Sequence, residues 1–259
     1  MQKAALITGA SSGIGRDLAT IHAEKGSDLI IVARRDHELK ELKTELEAKY
    51  SVKVKVIAKD LIAENACEEI HEEIKREGIN VEYLINNAGF GGHGYFHEQD
   101  DEYQQRMIDL NIKALTKLTR LFLPWMVERN SGRILNVAST AGLLPGPLQA
   151  VYYATKAYVV SLSQGIAGEL MDTDVTCTAL CPGPVETEFA EEADLEGTDL
   201  FKNAATSRSV AEVGYEAMMK GKLIAINDLS LKIQLEYLIP LAPRKMVLST
   251  VKKMQEKRG

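Results

Sequence analysis

The sequence predicts a three-layer α/β fold built on a doubly wound parallel sheet of about seven strands. Two observations carry this expectation. First, short apolar runs at residues 4–8, 28–32, 52–57, 81–85, 133–138, 175–180 and 223–226 alternate with longer segments of helical period. Strands that alternate with helices join by right-handed crossovers, which makes the sheet parallel and covers both its faces. Second, Gly9, Arg34, Asp60, Asn86, Ser139 and Pro182 all fall just past strand ends, where such sheets bind ligands.

Composition agrees with one α/β domain over residues 1–259. The chain is 45% hydrophobic, enough for a sizeable core, and its formal net charge of −6 argues against nucleic acid as a partner. Cys67, Cys177 and Cys181 have neither metal spacing nor a disulfide framework, so reduced thiols in a cytoplasmic protein are expected. No leader is read ahead of the first strand, and no apolar run reaches the roughly 18 residues of a membrane span.

The first strand, Ala4–Thr8, runs into Gly9-Ala10-Ser11-Ser12-Gly13-Ile14-Gly15, and Ile14, Leu18, Ile21 and His22 then repeat at helical spacing. Strand, glycine turn and helix in that order form a phosphate-binding context. Gly9 permits the tight turn, Gly13 lets the backbone approach a pyrophosphate, and Gly15 allows helix and strand to pack closely. The spacing is G-x-x-x-G-x-G, not the common G-x-G-x-x-G. The second strand exits into Ala33-Arg34-Arg35 with no carboxylate in the first positions after Val32. Two guanidiniums there suit the 2′-phosphate of NADP(H), with NAD(H) as the alternative. Asp36 reads as the N-cap of a charged helix to about Lys49. Asp60-Leu61, past the third strand, reads either as a contact to an adenine edge or as a cap.

A charged helix is expected over 64–77. The fourth strand ends in Asn86-Asn87-Ala88-Gly89. The Gly-rich, aromatic stretch from Phe90 to Phe96, which includes Tyr95, reads as a wall of a substrate cleft, with His93 and His97 at its rim. Residues 104–128 read as one long helix with wide apolar coverage. Asn111 lies inside it, and a buried amide without a partner costs about 1–3 kcal/mol. Bending the helix or organising water would explain it.

Ser139 ends the fifth strand, and Tyr152 and Lys156 are four residues apart, so on a helix their side chains leave the same face one turn apart. A hydroxyl, a phenol and an ammonium brought together suit proton transfer to or from an alcohol oxygen. A free phenol, with a pKa of about 10, is a poor base near neutrality, and a nearby cation favours its phenolate. After the sixth strand, residues 188–210 are acidic and irregular, with scattered apolar residues including Phe189. They read as a substrate lid. Phe90, Tyr95, Leu144 and Phe189 are the expected apolar substrate walls. Residues 229–259 form an apolar, then basic, extension. In it Met246, Thr250 and Met254 align, as do Val247 and Val251. Covering the core, the cleft or a dimer interface is preferred for it over lying on a membrane surface.

Taken together, Thr8-Gly9-x-x-x-Gly13-Ile14-Gly15, Asp60-Leu61, Asn86-Asn87-Ala88-Gly89, Asn111, Ser139, Tyr152-x-x-x-Lys156 and Pro182-Gly183 resemble the short-chain dehydrogenase/reductase family over about residues 3–190. The Ala-Arg-Arg exit is similar to that of DltE-like bacterial reductases. The resemblance implies a Rossmann-type fold and an NADP(H)-dependent oxidoreductase that interconverts an apolar ketone or aldehyde and an alcohol. It implies catalytic roles for Asn111, Ser139, Tyr152 and Lys156. Tyr152 is then the acid or base, Lys156 lowers its pKa and holds the nicotinamide ribose, Ser139 orients the carbonyl, and Asn111 holds a water. Cofactor contacts are implied for Ser11, Ser12, Leu61, Asn87, Ala88 and Gly89, with Thr8 steadying the turn. Pro182, Gly183, Val185 and Thr187 are implied at the carboxamide side. A homodimer or homotetramer is also implied. Two departures stand out. Ser12 occupies a position where NADP(H)-using members often carry a basic residue, and the glycine-rich C-terminal ending is absent. A cofactor-binding sensor with little turnover and a membrane-peripheral lipid reductase are the competing readings.

Overall fold

The computed structural model describes Met1, residues 3–201 and residues 204–257. Gln2, the 202–203 portion of the expected lid and the 258–259 end of the expected extension lie outside the described residues. The strands are β1 (Ala4–Thr8), β2 (Asp28–Ala33), β3 (Val54–Ala58), β4 (Val81–Asn86), β5 (Gly132–Val137), β6 (Val175–Leu180), β7 (Val185–Glu186), β8 (Ala205–Thr206) and β9 (Ile224–Ala225). Seven of them form one parallel sheet in the order β3-β2-β1-β4-β5-β6-β9, while β7 and β8 pair separately. The doubly wound Rossmann-type sheet expected from the alternation is therefore present. Its winding reverses between β1 and β4, and a crevice opens at such a switch point.

The helices are α1 (Gly13–Glu24), α2 (Asp36–Lys49), α3 (Ala66–Arg76), α4 (Asp101–Ile108), α5 (Leu115–Glu128), α6 (Ala150–Glu169), α7 (Phe189–Glu192), α8 (Ser207–Met219), α9 (Leu229–Ile233) and α10 (Arg244–Gln255). On one face of the sheet Leu18, Leu39, Leu42, Leu46 and Met218 pack α1, α2 and α8 into a core. On the other, Ile70, Ile74, Leu118, Phe122 and Met126 do the same for α3 and α5, with Ile166 of α6 against them. Two apolar layers account for the uniformly buried β1, which carries no polar face. Among the described residues no helix is long and apolar enough to cross a membrane.

Four expectations about elements are corrected. Asp36 is not the N-cap of α2; Arg35 is, and Asp36 begins the helix, where its charge still suits the positive helix end. The helix expected over 64–77 starts at Ala66 and buries Cys67, Ile70, His71 and Ile74, so only one of its faces is solvated. The long helix begins at Asp101, because Asp100 caps it by accepting from the Tyr103 N–H at 2.8 Å, and it is interrupted by a π-helical stretch, Asp109–Ala114. The irregular segment from 188 ends earlier than expected, because Thr206 caps α8 from Ser207.

Candidate active site

A cavity of about 890 Å³ lies along the carboxyl ends of β1 to β6. The β1 turn forms one end. Gly9 has φ +66°, and a Cβ there would lie 2.8 Å from Asn87 Nδ2. A Cβ on Gly15 would lie 2.3 Å from the Gly9 carbonyl oxygen, so the start of α1 can approach the turn only as glycine. Asn87 Nδ2 donates to the carbonyls of Thr8 (3.0 Å) and Gly9 (3.2 Å), and the N–H groups of Asn87 and Ala88 both donate to Thr8 Oγ1 at 3.0 Å. Thr8 is buried and, like Gly15, stays outside the cavity lining. Both shape the loop and neither faces the space it encloses.

Ser11, Ser12, Gly13 and Ile14 line the cavity beside the free N–H groups at the start of α1, and Arg34, Arg35, Asp60 and Leu61 line it further along. Asp60 also accepts from the Ile62 N–H at 3.3 Å, a local turn bond. Arg35 is already engaged. Its Nε and one terminal nitrogen donate to Ser11 Oγ (3.2 and 3.1 Å), and its other terminal nitrogen pairs with Glu188 at 3.0 Å. Arg35 and a bond with Ser12 hold the Glu188 carboxyl below its ordinary range. Asn87, Ala88 and Gly89 line the cavity from β4, and Pro182, Gly183, Val185 and Thr187 from beyond β6.

Ser139, Tyr152 and Lys156 meet at the inner part of this space. Ser139 follows β5, accepts from the Ala141 N–H at 3.1 Å and donates to the Pro182 carbonyl at 3.4 Å, which fixes its hydroxyl. Lys156 is buried on α6, one turn after Tyr152. Its Nζ donates to the Val137 carbonyl at 2.9 Å and lies 5.8 Å from the Tyr152 ring centre. Burial pulls its pKa down to about 8, against a smaller opposing effect of Cys181. Burial also raises the Tyr152 phenol above its ordinary value, while a hydrogen bond with Ser139 pulls it the other way. The acidified phenol that was expected is not what this chain shows by itself: desolvation sets the direction of the shift, and the opposing effect comes from the Ser139 hydroxyl.

Asn111 is buried in the π-helical stretch, outside the cavity lining. Its Oδ1 accepts from the Phe90 N–H at 3.1 Å, and its Nδ2 donates to the Phe90 carbonyl (2.9 Å) and Thr155 Oγ1 (3.1 Å). The amide thus ties the bent helix to the loop after β4 and to α6, beside the phenol and ammonium. Of the expected substrate walls, Phe90, Leu144 and Phe189 line the cavity, with the Phe189 ring 5.3 Å from that of Tyr152. Tyr95 does not, which corrects its expected place as a wall; it is 47% exposed and lies outside, near His97 and Lys252, directly after Gly94 with its left-handed φ of +138°.

The sequence left open whether the C-terminal extension covers the core, the cleft or a dimer interface. Leu231, Leu235, Ile239, Val247, Val251 and Met254 line the cavity from the C-terminal segment, so the extension covers the cleft. Gln255, fully buried, locks it down. Its Oε1 accepts from Gln149 Nε2 at 2.7 Å, its Nε2 donates to Tyr153 Oη at 3.1 Å, and its carbonyl meets His93 Nε2 at 2.8 Å. The signal was there: Gln255 continues the Val247–Val251 stripe, and a polar residue on an apolar stripe needs a partner.

The cleft fits a dinucleotide. Its glycine cradle leaves no room for side chains, since a Cβ on Gly13 would lie 2.9 Å from Thr187 Cγ2, and helix N–H groups face the space. Residues 3–196 match the family model described as short chain dehydrogenase. The chain is 34% identical over 193 residues to the very-long-chain 3-oxoacyl-CoA reductase of Rattus norvegicus, covering 72% of this chain and 61% of that protein. It is similar to the solved short-chain dehydrogenase of Sphingobium yanoikuyae in complex with NADPH, at 30% identity and a TM-score of 0.84, covering 99% and 98% of the two chains. It is also similar to the bulky-bulky ketone specific alcohol dehydrogenase of Comamonas testosteroni, at 26% identity and a TM-score of 0.77, covering 94% and 96%. These likenesses do not single out the DltE-like subgroup. Motif, fold and family model coincide over the same three quarters of the sequence, and the chain belongs to the short-chain dehydrogenase family of oxidoreductases.

Proposed function

We propose that this protein is an NADP(H)-dependent carbonyl reductase or alcohol dehydrogenase acting on an apolar ketone, aldehyde or secondary alcohol. The observation that carries this is the meeting of Ser139, Tyr152 and Lys156 in the cavity that also holds the glycine turn. When bound, the nicotinamide supplies or accepts the hydride. Ser11, Ser12 and the N–H groups at the start of α1 would hold its phosphates, Arg34 and Arg35 its 2′-phosphate, Lys156 its ribose, and Val185 and Thr187 its carboxamide. Ser139 donates to the substrate oxygen and orients it. Tyr152 Oη gives that oxygen a proton in the reductive direction. A phenol is protonated at neutral pH even at its ordinary pKa of about 10, so the proton is on Tyr152 when reduction begins. Asn111 positions the helix bend beside them. Residues 188–201 act as a lid on a single domain, and the extension roofs the substrate. Three buried free thiols fit a reducing, cytoplasmic setting, and a homo-oligomer is expected from the family likeness.

The test is NADPH oxidation against a panel of ketones, aldehydes and a 3-oxoacyl thioester, with NADH as control. The thioester is included because of the 34% identity to 3-oxoacyl-CoA reductases. Tyr152→Phe is expected to lower turnover by about 10²–10⁴-fold and leave NADPH binding, read by fluorescence, nearly unchanged. Retained turnover would overturn the assignment, and equal use of NADH would overturn the cofactor preference.

A further inference from the structure

Arg35 and Glu188 tie together three parts of the cleft. Arg35 follows β2 and is bonded to Ser11 of the glycine turn. Glu188 opens the segment that leads to α7 and is bonded to Ser12. Thr187 lies against Gly13, and Phe189 lies against the Tyr152 ring. One carboxylate–guanidinium pair therefore pins the start of the segment that carries the aromatic cover of the catalytic phenol.

A carboxylate and a phosphate compete for the same N–H edges of a guanidinium, which binds either of them two-pronged. Each of the three Arg35 nitrogens already has a partner, Ser11 or Glu188, so a phosphate that takes a two-pronged edge of this side chain competes with one of them. We propose that Glu188 is a built-in competitor for the cofactor's 2′-phosphate: it holds Arg35 until NADP(H) takes the guanidinium, which frees the turn at 187–192 and couples recognition of the phosphate to the cover over Tyr152. This rests on the reading above that Arg35 receives the 2′-phosphate.

The effect is modest in size. The paired side chains are 38% and 51% exposed, and exposed pairs of this kind shift binding by up to about fivefold. The test titrates the full chain and its Glu188→Gln variant with NADPH, NADH, adenosine 2′,5′-bisphosphate and AMP. In the variant NADPH and the bisphosphate are expected to bind about two- to fivefold more tightly, with NADH and AMP unchanged. Hydrogen exchange over residues 187–192 is expected to rise in the native chain with the bisphosphate and not with AMP, and to be high from the outset in the variant. Unchanged or weaker NADPH binding in the variant overturns the proposal. So does equal tightening of NADPH and NADH, which would mark a general repulsion of the pyrophosphate. Arg35→Ala separates the two levels. If it leaves the NADPH-to-NADH ratio unaltered, the cofactor reading fails. If it lowers that ratio while Glu188→Gln does not raise it, only the competition fails.

Discussion

Two buried titratable groups show how burial sets chemistry residue by residue. Tyr152 and Lys156 are pushed in opposite directions by the same cause, loss of hydration, and each is moved toward its neutral form. His22 is the structural counterpart. It is fully buried between the rings of Tyr83 and Tyr215, at centroid distances of 4.9 and 5.0 Å, and burial lowers its pKa from 6.5 to about 3. Below pH 6.5 the unfolded chain gains a proton that the folded chain refuses, so stability falls as pH drops from about 6.5 toward 3. Each pH unit in that window costs about 1.4 kcal/mol. His22→Phe keeps the ring and removes the proton. Between about pH 7 and 5 the variant is expected to lose about 2 kcal/mol less than the native chain, read from urea midpoints at the two pH values. Parallel curves would contradict it.

At the level of elements, polar side chains inside apolar segments decide where the backbone departs from regularity and what joins the layers. Asn111 sits in the π-helical stretch because its amide is drawn to the Phe90 backbone and Thr155, and such stretches often mark functional sites. A second buried chain crosses the sheet interior. Asn86 donates to Thr119 Oγ1 (3.0 Å) and to Asn136 Oδ1 (2.8 Å), and Asn136 donates to Ser163 Oγ (2.9 Å). It links α5, β4, β5 and α6, the elements that carry the cavity's inner wall. Asn136→Leu leaves Asn86 and Ser163 short of a partner and is expected to cost about 1–3 kcal/mol. Chemical denaturation measures this, and a cost near zero would show that the chain is not a stabilising link. The periodicity of these segments was legible, but the partners were not, since Asn86 and Ser163 each lie at least 27 residues from Asn136.

For the whole molecule, the C-terminal segment turns an open crevice into a roofed cavity, with Gln255 joining it to Gln149 at the start of the α6 helix and to Tyr153 beside the phenol. Gln255→Ala is expected to raise KM by about 3–10-fold, the loss of one or two buried hydrogen bonds. The turnover number should change much less, because Ser139, Tyr152 and Lys156 rest on β5 and α6 and not on the roof. Steady-state kinetics on the best substrate of the panel decides it, and a fall in turnover with constant KM would show that the roof acts on the chemistry itself. By itself the sequence determined the parallel sheet, the glycine turn and the Ser139–Tyr152–Lys156 set. Those signals are local: hydrophobic period, strand-end position and a one-turn helical spacing. Only the tertiary structure decided that Tyr95 lies outside, that Arg35 already holds Glu188, that burial raises the Tyr152 pKa and that the tail roofs the cleft. Each of those depends on desolvation or on contacts between segments distant in the chain, which spacing along a sequence does not encode.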